Sequence, residues 1–210
     1  MMALPTVSQP TIYGDLVSGN CLKTKWVAEK EGYSFDWVDI DIMKGESRTE
    51  DYLAISSAGQ VPVLRLPDET VIEQSNAIAT YIAEQTGSDL IPSNSEKRAQ
   101  MLAWMFWEQY SHETAIAVRR FRKAYQGLPD DEIEPHLLPK GYAALDRMET
   151  QLEGQSWIVA DQPTLADVSL VAYTRVAHEG GFDLAAYPRV RDWIARVENL
   201  LNIPHITEQA

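Results

Sequence analysis

Gly59-Gln60-Val61-Pro62-Val63-Leu64 is a β-rich run opened by a proline. A proline inside a buried strand removes a ladder donor, so Pro62 belongs at a strand's first residue, on an edge, or in a cis turn. Downstream, residues 63–66 and 70–72 flank Pro67-Asp68-Glu69, a hairpin with turn residues at its tip. A helix then reads from Ser75 through Ile78 and Ile82. Upstream, Thr11-Ile12-Tyr13 leads into Ser18-Gly19-Asn20, which suits a turn and the start of a helix running through Trp26 to Glu31, where Gly32 stops it. Residues 35–40 alternate as a strand would, and residues 49–55 make a short helix. Strand, helix, strand, helix, hairpin, helix implies an α/β layer whose first strands pair in parallel.

Residues 95–201 show only helical periods, so the fold class expected is α/β followed by all-α. The polar, broken stretch 87–95 serves as a linker between domains at 1–86 and 96–210. Thr164-Leu165-Ala166-Asp167 opens a helix that is apolar nearly all round, the expected buried centre of a bundle with a capping box at its start.

The chain has 210 residues, 45% of them hydrophobic, and a formal net charge of −13 from 18 basic and 31 acidic side chains. Six basic and fourteen acidic residues fall in 1–92, twelve and seventeen in 93–210, so neither part offers the basic surface that nucleic acid requires. The first basic residue is Lys23 and the notable apolar run 101–107 is too short to span a bilayer, so the expectation is a cytoplasmic protein with no membrane partner. Cys21 is the one cysteine, which rules out an internal disulfide and a cysteine zinc cluster. His112, His136, His178 and His205 lie too far apart to pair on a metal-binding helix, and no metal is expected. GxGxxG, GxSxG, HExxH and a phosphate-binding loop are all absent.

Three pieces of the first domain carry chemistry. Ser18-Gly19-Asn20-Cys21 stands at a helix start, where backbone N–H groups and the dipole favour an anion such as a thiolate. Gln60-Val61-Pro62 offers a backbone edge to an extended peptide. Gln74-Ser75 opens another helix, where the Ser75 hydroxyl and N–H can hold a carboxylate. Together with Tyr13-Gly14-Asp15-Leu16-Val17 ahead of Ser18, with Asn76-Ala77-Ile78 after Ser75 and with the Thr164–Asp167 motif, in this order and spacing, the chain resembles the cytosolic glutathione transferases over essentially its whole length.

That resemblance implies a thioredoxin-like first domain that holds glutathione, an all-helical second domain carrying the electrophile pocket, and a homodimer. It also implies a cis proline at Pro62, with the Gln60-Val61-Pro62 segment pairing with the cysteinyl part of glutathione and Gln74 and Ser75 holding its γ-glutamyl end. Glutathione is then a cosubstrate, and no further cofactor is expected. Branches of the family use Tyr, Ser or Cys beside the thiol. Ser18 aligns with the serine of the theta and zeta type, while Asn20, Tyr13 and Cys21 stay open as alternatives, and Ser18 has a plainer role available as a helix cap. Cys21 can equally be a buried structural thiol. Among Trp104, Phe106, Trp107 and Tyr110, Trp107 and Tyr110 are the candidates for an apolar electrophile pocket, with core packing the competing role. Arg119, Arg120, Arg122 and Lys123 read as a solvated helix face, some of them meeting acids across a dimer interface. His112 and Arg175 are candidates for the cleft between domains. The activity expected is transfer of the glutathione thiol to a hydrophobic electrophile in detoxification. A glutathione-dependent isomerase, peroxidase or dehalogenase, or a non-catalytic binding protein on the same scaffold, are the alternatives.

Overall fold

Thr11-Ile12-Tyr13 forms a strand where the β-rich run predicts one. The computed structural model describes residues 7–159 and 161–206. β1 (Thr11–Gly14) is followed by α1 (Gly19–Lys30), β2 (Asp36–Asp39), α2 (Glu50–Leu53), β3 (Val63–Arg65), β4 (Val71–Glu73) and α3 (Ser75–Thr86). β1 pairs in parallel with β2 and antiparallel with β3, and β3 pairs antiparallel with β4. The resulting order β2-β1-β3-β4 with its helices is the thioredoxin-like arrangement. The register sets Ile12 opposite Leu64, both fully buried, and with Val27 of α1 and Ile78 and Ile82 of α3 they make the core of this half. Side chains alternate across a strand, so Tyr13 faces the other way, where its ring meets Tyr52 edge-on at 6.4 Å between centroids.

Two glycines place the ends of these strands. A Cβ on Gly14 would stand 2.6 Å from the Trp37 ring and 3.2 Å from Cys21 Cβ, so only a glycine lets β1 end this close to α1 and β2. Gly59 has φ +59°, and a Cβ there would meet the Ser47 carbonyl oxygen at 2.7 Å. Arg48 Nη1 donates to the Ala58 carbonyl at 2.9 Å and the Tyr52 hydroxyl to the Gln60 carbonyl at 2.6 Å, so α2 and the turn before it hold residues 58–60 from below. Val61-Pro62 is a cis peptide, and Pro62 is buried just ahead of β3.

The chain divides into two compact units, 1–88 and 89–210, the division falling within the polar stretch 87–95. The second unit is helical: α4 (Ser95–Trp107), α5 (Glu113–Arg120), α6 (Leu137–Gln151), α7 (Leu165–Thr174) and α8 (Pro188–Leu201). α4 and α5 run on as one continuous helical stretch that includes two π-turns, 108–112 and 121–125. The run at 119–123 departs from the solvated face expected of it. Arg119 is buried, with Nε on the Gly180 carbonyl at 2.8 Å and Nη2 on Asp130 at 2.7 Å. Arg120 bonds Glu179 at 2.8 Å, Arg122 reaches Glu134 at 2.9 Å, and Lys123 reaches Asp130 at 2.7 Å. These cations find their acids within the same unit. None of the described helices is long and apolar enough to cross a membrane.

All ten residues of α7 are buried, as its nearly all-round apolar pattern predicts. Its capping box is present, and Asp167 does more than cap. Its oxygens accept from Thr164 N–H at 2.8 Å, the Thr164 hydroxyl at 3.2 Å, Ile158 N–H at 2.9 Å and Trp193 Nε1 at 2.8 Å. Burial pushes its carboxyl above the ordinary carboxylate range, against the pull of these four donors. Asp167→Ala leaves buried donors from three segments without an acceptor, so urea unfolding should show a loss of about 2–4 kcal/mol, with binding by the first unit unchanged. Lost binding at unchanged stability would contradict this structural role.

Candidate active site

The loop between β1 and α1 is organised by Asp15. One carboxylate oxygen accepts from Val17 N–H at 2.9 Å, the other from Ile42 N–H at 3.0 Å, and the Asp15 carbonyl takes Ser18 N–H at 3.1 Å. Ser18 thereby occupies the N-cap position of α1 with extended backbone, φ −84° and ψ 118°. Its side chain makes no capping bond, and its hydroxyl lies beside the Cys21 thiol. The plain capping role is therefore not what Ser18 does here. Leu22 N–H to the Ser18 carbonyl at 3.0 Å is the first bond of the helix, so the N–H groups of its first turn form its electropositive end.

The other three candidates beside Ser18 are differently placed. Tyr13 packs on Tyr52, and its hydroxyl bonds the Arg65 side chain. Cys21 is fully buried, and burial pushes its thiol up to about 11 against hydrogen bonds from Asp15 and Ser18 that lower it. Asn20 Oδ1 accepts from Lys23 Nζ at 2.8 Å and from the Ser75 hydroxyl at 3.0 Å. This shared oxygen ties the start of α1 to the start of α3.

Gln74 precedes α3 with φ +73°, a conformation costly for a non-glycine residue and of the kind found at functional sites. The turn leaves Gln74 exposed and brings Ser75, buried, to the first position of α3, whose first internal bond is Ile78 N–H to the Gln74 carbonyl at 3.0 Å. Gln60 is exposed and Val61 half-buried. Among the described residues, no backbone partner is seen for the Val61 N–H or C=O, so this edge keeps its capacity for an extended ligand.

In the second unit the aromatic stripe divides. Trp104 is buried, Trp107 packs on it at 5.0 Å between centroids, and the Arg147 guanidinium covers both rings at 4.5 and 4.4 Å. Phe106 and Tyr110 are 72% and 86% exposed. His112 is fully buried against the Thr174 hydroxyl at 2.9 Å, and Arg175 pairs with buried Glu198 at 2.8 Å, so both have structural partners inside this unit. A cavity of about 680 Å³ lies between the 175–185 segment, α8 and residues 205–206; its lining includes Arg175 but none of the candidates for glutathione or the electrophile. No cluster of three metal-ligating side chains is found among the described residues. Asp15, Lys23 and Tyr52 are the residues that sequence reasoning passed over. Asp15 had a signal, an aspartate two residues ahead of a turn, whereas Lys23 and Tyr52 had none.

Comparison with known proteins gives this arrangement its family. Residues 17–85 match the glutathione S-transferase N-terminal domain and residues 131–196 the C-terminal domain. Glutathione S-transferase F10 of Arabidopsis thaliana is 33% identical over 171 residues, which cover 78% of this chain and 79% of that protein.

The chain belongs to the glutathione S-transferase family.

A glutathione S-transferase from Pseudomonas fluorescens shares 43% identity and superposes with a TM-score of 0.89 over 95% of this chain and 100% of its own. A glutathione transferase homologue from Sulfitobacter, solved with bound glutathione, is 22% identical with a TM-score of 0.78 over 91% of this chain and 93% of its own, a likeness of fold. This chain is accordingly a glutathione transferase enzyme with a thioredoxin-like first domain and a helical second one.

Cys21 yields a direct test of its structural assignment. A free cysteine ionises near 8.5, so about 3% is thiolate at pH 7, whereas a thiol at about 11 gives about 0.01%. Iodoacetamide should modify the folded protein at least about 100-fold more slowly than a free thiol at pH 7. Between about pH 8.5 and 11 the folded state holds a proton that the unfolded state has lost, so this thiol should lower stability as pH rises through that range. Rapid alkylation of the folded protein at neutral pH would contradict the assignment.

Proposed function

We propose that this enzyme binds glutathione along the starts of α1 and α3 and the Gln60-Val61-Pro62 edge, and uses the Ser18 hydroxyl to stabilise its thiolate for attack on a hydrophobic electrophile. The observation that carries this reading is the place of Ser18: at the electropositive end of α1, with a hydroxyl that makes no capping bond and, among the described residues, has only the buried Cys21 thiol beside it to turn from, while Tyr13 bonds Arg65 and Asn20 bonds Lys23 and Ser75. Ser75 N–H and hydroxyl at the start of α3 suit the α-carboxylate of the γ-glutamyl end, with Gln74 beside it. The Val61 backbone suits the cysteinyl amide.

The chemistry needs more than an acidified thiol. Lowering a thiol pKa from about 8.5 to about 6.5 raises the thiolate fraction at pH 7 roughly 25-fold. The weaker base is also a weaker nucleophile, and a Brønsted slope of about 0.4–0.5 returns about 8-fold of that gain. The larger share of the acceleration must come from holding the sulfur beside the electrophile, where proximity contributes several kcal/mol. We assign Trp107 and Tyr110 of the helical domain to the electrophile pocket, and the exposure of Tyr110 supports the availability of its ring. A homodimer acting on apolar electrophiles in the cytoplasm, in detoxification, is the setting that the family suggests.

With a generic aromatic halide as electrophile, Ser18→Ala should move the acid limb of the kcat/KM profile upward by about one to two pH units, since the lost donor favoured the charged sulfur. Glutathione affinity should change less than about threefold. If Asn20→Ala or Tyr13→Phe moves the limb and Ser18→Ala does not, the donor is the residue that moved it. Glutathione binding without turnover of any electrophile or hydroperoxide would make the protein a binding protein.

A further inference from the structure

Lys23 is fully buried and stands one turn into α1, among the largest buried side chains of the protein. The chemistry above gives it no role. A lysine is rarely buried without a specific partner, because leaving water costs its head group heavily. Its Nζ donates to Asn20 Oδ1 at 2.8 Å, and the same oxygen accepts the Ser75 hydroxyl at 3.0 Å. Lysine has no acceptor, so the amide must turn its oxygen toward Nζ, and the orientation of Asn20 is fixed by this contact.

The arrangement has a consequence for Ser75. A hydroxyl has one hydrogen, and that of Ser75 is committed to Asn20. A carboxylate at the start of α3 can take it only if the Asn20 oxygen gives it up. Without Lys23, giving it up would take a donor from a partly buried carbonyl oxygen, which is costly. With Lys23 in place the oxygen keeps a strong donor throughout, and the hydroxyl can turn.

We propose that Lys23 is a positioning residue for the γ-glutamyl subsite: by holding Asn20 Oδ1 it releases the Ser75 hydroxyl to the ligand's α-carboxylate and so sets the preference for γ-glutamyl thiols. This rests on the reading of Ser75 as the γ-glutamyl contact. The role is specific to one carboxylate, which separates it from simple support of the fold. A loosened α1 would weaken every ligand of the site in the same proportion.

The test uses the full-length protein and calorimetric titration with two thiols, glutathione and 4-aminobutanoyl-cysteinylglycine, which lacks only the α-carboxylate. In Lys23→Met the ratio of the two dissociation constants should shrink at least about tenfold toward no preference, and Lys23→Arg, which keeps donors toward Asn20, should restore most of it. Ser75→Ala, which keeps the backbone N–H, should shrink the preference by a similar factor, and Lys23→Met added to Ser75→Ala should change the ratio no further, since both act on one contact. Equal weakening of both ligands in Lys23→Met, or additive effects in the double variant, overturns the positioning role while the Ser75 reading stands. An undiminished preference in Ser75→Ala overturns that reading instead. If Lys23→Met does not fold, Lys23→Gln supplies the same comparison: its amide donor lacks the reach of lysine, so the ratio should shrink, and an unchanged ratio contradicts the proposal.

Discussion

One amide oxygen holds the chemistry of the first domain in place. Asn20 Oδ1 takes a donor from its own helix and a donor from the start of α3, so two helix N-termini are fixed next to each other at one end of the sheet. Each such end carries roughly half a positive charge, and placing two together with a buried lysine is unfavourable until an anion arrives. The chain as a whole carries a net charge of −13, so these two helix ends and Lys23 are positive elements in an otherwise acidic protein. Glutathione, with two carboxylates and an ionisable thiol, is the kind of ligand that relieves such a site. Asp15 and Gly14 complete the geometry: the aspartate shapes the turn that presents Ser18, and the glycine lets β1 end against Cys21 and Trp37.

The second unit owes its stability to a different polar contact. Asp167 joins the start of α7 to Trp193 of α8 and to the backbone of Ile158, so that one carboxylate orders three segments around the most buried helix. Its position in that unit and its four bonds make it structural. Cys21 shows the same separation within the first unit, since it lies one turn from Ser18 and is yet too buried to act as a nucleophile.

Much of the fold was legible because local signals and tertiary demands agreed. The hairpin at 63–73, the helix starts at Ser18 and Ser75 and the capping box all stand where turn chemistry and spacing put them, and the cis bond at Pro62 is the one the family resemblance implied. What could not be read depends on contacts distant in sequence. Lys23 sits in a helix whose buried side includes Thr24 as well as Trp26 and Val27, so no apolar stripe marks it as interior. Tyr52 reaches the Gln60 carbonyl from α2, a contact no local pattern announces. The π-turns at 108–112 and 121–125 each rotate the helix by an extra residue, and with them the faces that a regular period assigns. Arg119 and Arg120 looked like surface charge because their partners, Gly180, Asp130 and Glu179, lie as far as 61 residues along the chain.

The central claim is that the start of α1 holds glutathione as a thiolate. The ultraviolet absorbance of the bound sulfur, followed against pH in the binary complex with no electrophile present, measures this without any kinetic assumption. The account predicts a midpoint about two units below that of free glutathione, near pH 6.5. A bound thiol that titrates at the free value, near 8.5, would contradict it.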